Sequence, residues 1–258
     1  MTHRSRFLSS SIAVWICLLA HGAAAQSGAV RVLASNGMKA VVEELQPRCE
    51  RAIGHPLSIE YGSTVGLRQK IDAGAGFDAV ILTSEAIGEL VKQGQVTAGS
   101  RADFTRCGVG VAVRSGAHKP DISTPAAMKQ TLREATSITY AGDGASRGAI
   151  DKMLERLGLA EDVKPKVVLT QGSGPAMARV AAGQTAVVMT LMSELLPVHG
   201  IDVVGPFPAE LQNYVSFGAA AGSKAIEKEG AKALIAFLKS ADAAPVYKAK
   251  GMERISGR

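Results

Sequence analysis

The sequence predicts an α/β protein of two lobes, each a mainly parallel sheet flanked by helices, with two crossing strands as the hinge. Three observations carry this. Short apolar runs alternate with segments whose apolar residues recur every three or four positions. The alternation begins once near residue 30 and again near residue 137. Apolar strands near Val109 and Phe217 join the two halves where a flexible linker would otherwise stand.

Residues 1–25 read as a secretory signal peptide, with Arg4 and Arg6 at its start and an apolar stretch at 7–20. Ala23-Ala24-Ala25 supplies the cleavage site, so Gln26 becomes the new N-terminus and the mature protein is expected in the periplasm. The apolar stretch falls short of the ~20 residues that a spanning helix needs. Removing Arg4 and Arg6 from 29 Lys and Arg leaves 27 against 23 Asp and Glu, a formal charge of +4. Cys17 leaves too, so Cys49 and Cys107 remain, either paired in an oxidising compartment or as two buried free thiols.

The first half reads strand 30–34, a helix carrying Met38, Val41, Val42 and Leu45, strand 57–61, a helix to about 73, strand 77–82 and a helix through 91. This βαβαβα order is that of a parallel sheet covered by helices. An apolar strand at 107–113 leads to a helix opened by Ser123-Thr124-Pro125. Strand 137–141, helix 147–157, strand 166–170, helix 175–182 and strand 186–189 follow. Strands at 201–204 and 214–220, a helix at 226–238 and a short helix near Val246 complete the chain. The expected division is 26–108 with 213–258 as the first lobe and 109–212 as the second.

Composition narrows the function. At 47% hydrophobic and 20% charged, the chain has the means to build a core, which excludes global disorder. Aromatics at 4% argue against a carbohydrate cleft walled by rings, and 28 glycines suit a site made of turns and backbone amides. The positive charge is spread without a basic block, which excludes a nucleic-acid groove. His55, His118 and His199 stand far apart, and no metal or cofactor motif occurs.

The polar chemistry gathers where strands pass into helices. The turns are Ser35-Asn36-Gly37, Gly62-Ser63-Thr64, Ala145-Ser146-Arg147-Gly148 and Gly172-Ser173-Gly174. Each sets backbone N–H groups and a hydroxyl at the positive end of a helix, where anions bind. Ser, Thr and Asn also cap helices without any ligand, so a single turn proves little. Matching turns in both halves point to an anion held jointly across a cleft, beyond the carboxyl ends of the strands.

The stretch 32–41, the segment from Tyr61-Gly62-Ser63-Thr64 to Gly74, Phe77-Asp78-Ala79-Val80 and the Gly142-Asp143-Gly144 turn together resemble the periplasmic molybdate-binding protein family. The resemblance spans nearly the whole mature chain. It implies a type II periplasmic binding protein fold, an anion pocket and delivery to the membrane component of an ABC-type transporter. That fold also includes aconitate isomerase. Against the family pocket, Asn36 stands where a serine is used, with Ser35 beside it, and Thr64 keeps a second hydroxyl. Arg147 takes the place of a small residue, Ser173 falls at an amide-donating position, and Thr190 replaces a tyrosine.

A guanidinium at Arg147 suits a carboxylate, and Arg68 can supply a second clamp. The expected ligand is thus an organic di- or tricarboxylate, bound by Ser35, Asn36, Ser63, Thr64, Arg68, Ser146, Arg147, Ser173 and Thr190. Two other readings stand beside uptake of such an acid. One is a cofactor-free aconitate isomerase, with Asp143 as the proton carrier and Tyr61, Glu60 and Glu194 as further candidates. The other is a molybdate or tungstate binder. A monomer is expected in each case.

Overall fold

The computed structural model describes residues 28–255, so the expected signal peptide lies outside the described residues. Strand β1 (Val30–Ser35) leads through a 3-10 turn to α1 (Lys39–Ile53). Then come β2 (Leu57–Gly62), α2 (Thr64–Asp72), β3 (Ala79–Thr83), α3 (Ser84–Lys92) and β4 (Ala102–Cys107). The middle of the chain forms β5 (Val109–Arg114), α4 (Pro125–Glu134), β6 (Ile138–Ala141), α5 (Arg147–Leu157) and α6 (Ala160–Val163). It continues with β7 (Val167–Thr170), α7 (Ser173–Ala181), β8 (Val187–Leu191), α8 (Met192–Leu195) and β9 (Ile201–Pro206). The chain ends on β10 (Val215–Ala221), α9 (Lys228–Lys239), α10 (Ala244–Ala249) and β11 (Met252–Arg254).

Two sheets result, ordered β11-β4-β10-β3-β1-β2 and β7-β6-β8-β5-β9. Each has a parallel core, β2-β1-β3 in one and β7-β6-β8 in the other. Antiparallel strands extend both cores, because the crossing segments enter each sheet against the direction of its βα units. The strand expected at 107–113 is two strands: Gly108 ends β4 in the first sheet and releases β5 into the second.

Strand β1 shows why the first sheet is covered on both faces. Val32 and Ala34 point into the core beneath α1, α9 and α10, whereas Leu33 points into a second cluster with Leu67, Ile71, Ile87 and Leu90 of α2 and α3. In the second sheet α4 and α5 bury Met128, Leu132, Ile150 and Met153 on one face. Helix α7 buries Ala176, Met177 and Val180 on the other. Among the described residues no helix is long and apolar enough to cross a membrane.

The crossings are tied to each other. The Gln212 side-chain amide accepts from the Val109 N–H and donates to the Val109 carbonyl, both at 2.9 Å. The Phe207 N–H donates to the same carbonyl at 2.9 Å. Gly110 lets this region close up, because a Cβ there would lie 2.4 Å from Met192 Sδ and 2.7 Å from the Gly205 carbonyl. Cys49 and Cys107 are both buried free thiols, so the second of the two expectations for them is the one observed.

Asp78 locks the first lobe. Its fully buried carboxylate accepts from the Arg31 N–H at 2.9 Å, from Arg31 Nε at 3.0 Å and from the Ile226 N–H at 2.7 Å. Burial alone would raise its pKa, but these bonds together win and hold the carboxyl down at about 2. A depressed pKa gives stability that is fully present above the unfolded value of about 3.9 and is lost as pH falls through the folded value. Asp78→Asn should therefore cost about 2 kcal/mol at pH 6, from the cited shift. Urea unfolding from pH 6 to pH 2 should show that gap closing, and a gap that stays constant would show that Asp78 is not held as a carboxylate.

Candidate functional site

The parallel cores aim their carboxyl ends at the region between the sheets, and the polar turns lie there. Ser35 and Thr64 come from the ends of β1 and β2. Ser146, Ser173 and Thr190 come from the ends of β6, β7 and β8. All five are buried, together with Ser193. A buried hydroxyl without a partner is costly, and these find one another. Thr64 Oγ1 donates to Ser35 Oγ at 3.2 Å, and the hydroxyls of Ser146 and Thr190 lie 3.4 Å apart.

Simple capping explains one of these turns and not the others. Ser63 accepts from the Gly66 N–H at 3.1 Å and caps α2. Ser35 and Ser146 occupy cap positions without making a capping bond. Ser173 begins α7 behind Gly172, whose φ of 76° suits glycine, and its hydroxyl donates at 2.7 Å to Glu194 Oε1. Thr190 donates to the other oxygen, Glu194 Oε2.

Glu194 is thus the carboxyl that the hydroxyls surround. Burial is the largest influence on it and raises its pKa, against the lowering effect of Thr190, Ser173 and the Leu191 backbone. A raised carboxyl pKa leaves a group that is basic when ionised and able to keep a proton it has accepted.

Two cavities open between the lobes. One of about 410 Å³ is lined by Asn36 and Lys39 of the first lobe and by Ser173 and Glu194 of the second. The other, of about 540 Å³, is lined by Thr64 and Arg68 on one side and by Asp143 and Lys152 on the other. Tyr214, on the crossing that leads into β10, completes its wall. The hydroxyl chain Ser146–Thr190–Glu194–Ser173 leads from beside the larger cavity to the smaller one.

The expected site residues divide on this geometry. Ser35, Asn36, Thr64, Ser146, Ser173 and Thr190 face the cleft or its hydroxyl network. Arg68 stands on the wall of the larger cavity, with Nη2 at 3.4 Å from Gln93 Oε1. The Arg147 side chain turns away from these groups. Its Nε donates to Asp151 at 2.7 Å, its guanidinium lies 5.3 Å from the Tyr140 ring centre, and it lines a separate cavity with Leu169. An i,i+4 carboxylate one helical turn on competes for the guanidinium and draws it along α5.

Asp143 accepts from the Gly172 N–H at 2.7 Å and so ties two turns of the second lobe together. Glu60 is paired with Lys70 on the surface. The Tyr61 hydroxyl is buried without a partner, and burial pushes its pKa up to about 12. Ser193, Lys152 and Gln212 were not singled out from the sequence. Only the place of Ser193 beside Glu194, just past a strand end, could have signalled it. Among the described residues no group of three or more His, Cys, Asp or Glu side chains is gathered to hold a metal ion.

Two α/β lobes, tied at their crossings and lined between by buried hydroxyls at strand ends, match the two-lobed fold of periplasmic binding proteins. The chain belongs to the family described as bacterial extracellular solute-binding protein, whose pattern matches residues 30–253. It is similar to an aconitate isomerase from a Pseudomonas species, 34% identical over 230 residues that cover 87% of each chain. It is also 27% identical over 236 residues to a molybdate-binding protein of Azotobacter vinelandii, covering 88% of this chain and 91% of that one. A solved periplasmic molybdate-binding protein from Azotobacter vinelandii superposes with a TM-score of 0.75 at 19% identity, covering 89% of this chain and all of the other.

The raised pKa of Glu194 fixes the sign of a stability effect. The unfolded carboxyl loses its proton first, at about 4.3, so stability falls as pH rises above that value until the folded carboxyl has also ionised. Glu194→Gln carries no such penalty. Thermal unfolding should find it more stable than wild type at pH 8, with the difference vanishing near pH 4. A variant less stable than wild type at pH 8 but not at pH 4 would show that the site favours the ionised carboxylate.

Proposed function

We propose that this protein captures a small organic di- or tricarboxylate between its lobes in the periplasm and isomerises it in the manner of an aconitate isomerase, by allylic proton transfer without a cofactor. The observation that carries this is Glu194, a carboxyl held by two hydroxyls inside the cleft. A fully ionised oxyanion such as molybdate has no proton to exchange, so a carboxyl beside it must either repel it or take up a proton to bind it. An acid with an allylic methylene can use that carboxyl.

In the proposed reaction the Glu194 carboxylate takes a proton from the methylene carbon. The electron pair left behind shifts the double bond along the three-carbon unit. Glu194 then returns the proton to the former vinyl carbon. The connectivity of aconitate is restored, and the new double bond can carry the other geometry. No net oxidation or hydrolysis occurs. Ser173 and Thr190 hold the carboxyl in place for this transfer. Lys39 lines the cavity that holds Glu194, and Arg68 and Lys152 stand on opposite walls of the neighbouring larger one; these are the cations proposed to meet substrate carboxylates. Ser35, Asn36, Thr64 and Ser146 complete the proposed contacts. Asp143 and Arg147 are left out, because each is committed to another partner.

The family favours a second reading, in which the acid is delivered unchanged to an ABC-type transporter. Arg147 pointing away would suit an oxyanion pocket of neutral donors, but Glu194 makes the pocket more than neutral donors.

The test combines thermal shift with proton NMR of each ligand before and after incubation with the mature protein. Conversion of cis-aconitate to trans-aconitate, or the reverse, is expected. Glu194→Gln should keep the thermal shift and lose about 10²–10⁴-fold of the rate, the range for a general acid–base group. Stabilisation by an organic acid that stays intact would establish the delivery reading. Stabilisation by molybdate or tungstate alone would overturn both.

A further inference from the structure

Glu194 is carried by the second lobe, where Leu195 of the same turn is buried with Ala176 and Val180, yet the helix that bears it is also bonded to the first lobe. Helix α8 is a single turn, too short to be stable on its own contacts. Ser193, buried at 2% exposure, sends its hydroxyl across to the first lobe and donates to the Gly37 carbonyl at 2.8 Å. The Met192 N–H donates to the Gly108 carbonyl at 2.9 Å, and Cys107 Sγ lies 3.5 Å from Ser193 Oγ. Gly37 allows this approach, because a Cβ there would lie 2.6 Å from Leu191 Cδ1 and 2.8 Å from Phe217 Cζ.

We infer that Ser193 is a positioning residue: its hydrogen bond to Gly37 seats α8 on the first lobe and so places the neighbouring Glu194 carboxyl between Ser173 and Thr190. Successive residues on a helix point about 100° apart, so one turn can grip the first lobe with Ser193 and present Glu194 to the cleft. Ser193 lines the same cavity as Glu194, but its hydroxyl proton is committed to the Gly37 carbonyl, so it serves the place of the carboxyl. The Ser193 bond ties that place to the first lobe, while Ser173 and Thr190 tie it to the second. The effect on turnover rests on the isomerase reading, but the placement itself does not.

The titratable groups around Glu194 must be considered together. Lys39 and Glu43 of α1 line the same cavity and pair with each other. Cys107 is buried beside Ser193, and burial pushes its thiol pKa up, so it stays neutral. None of these is removed by altering Ser193, so a change in Glu194 titration reports its placement.

The experiment compares wild type, Ser193→Ala and Ser193→Thr. The Glu194 carboxyl is followed by carbon NMR of glutamate-labelled protein without ligand, with the resonance assigned by its loss in Glu194→Gln. Freed from the first lobe, α8 admits water to the carboxyl. The titration midpoint in Ser193→Ala should then fall by about one pH unit toward that of an exposed glutamate, and Ser193→Thr should restore it. With cis-aconitate, Ser193→Ala should lower kcat about tenfold with little change in KM, the mark of misplacement rather than lost binding. The acid limb of its pH profile should shift in the same direction as the midpoint. A midpoint unmoved in Ser193→Ala, with or without a lower Tm, overturns the inference. If wild type converts no aconitate, the midpoint still decides the placement, and only the isomerase reading fails.

Discussion

The constraint on which this structure depends is that polar groups delivered to the interior must be satisfied there. Both parallel cores end at the same gap, and every one of their strands brings a hydroxyl, a carboxyl or a cap to it. The hydroxyls themselves are buried beside that gap, so the groups bond to one another. Thr64 meets Ser35, Ser146 meets Thr190, and Ser173 and Thr190 share Glu194. The hinge obeys the same rule. Val109 leaves one sheet for the other, and the Gln212 amide satisfies both its N–H and its carbonyl. Architecture and site are therefore two results of one requirement.

Much of the fold was legible in the sequence because helix and strand periods are local. The order from β1 to α3, the restart at β6 and the helices α5, α7 and α9 could all be read from apolar spacing. Strand β4 could not. Asp103 and Arg106 interrupt its apolar run, and their partners are Arg101 and Glu253. Glu253 lies on β11, which exists only because β4 is there to pair with it. Such pairings are made across the chain and leave no local pattern. The break at Gly108 was hidden for a related reason: an apolar run looks alike whether it stays in one sheet or changes sheets.

The site was legible in its positions and not in its bonds. Strand-end hydroxyls could be picked out because strand ends face ligands in α/β folds. Which hydroxyl caps its helix and which turns inward depends on the element opposite. Ser63 caps, whereas Ser146 and Ser173 turn toward β8 and α8. The direction of Arg147 was decided by Asp151, four residues on. Asp143 was the first choice as proton carrier and Glu194 only a further candidate, because both read simply as carboxyls near turns. They separated only when one met a backbone amide and the other met two hydroxyls and a cavity.

Electrostatics finally links the placement of Glu194 to the kind of ligand that can enter. Two unit charges of like sign 4 Å apart repel by about 4 kcal/mol at an effective dielectric constant near 20. An anion that closes the lobes over an ionised Glu194 meets that repulsion, so its arrival favours the protonated carboxyl. The hydroxyls of Ser173 and Thr190 oppose this by stabilising the ionised form, and burial assists it. On the proposed isomerase reading, a carboxyl balanced in this way takes a proton from an organic acid and gives it back. The same balance would tax the binding of an oxyanion without any return. On the isomerase reading proposed above, it is this asymmetry, more than the shape of the lobes, that would turn a binding frame toward chemistry.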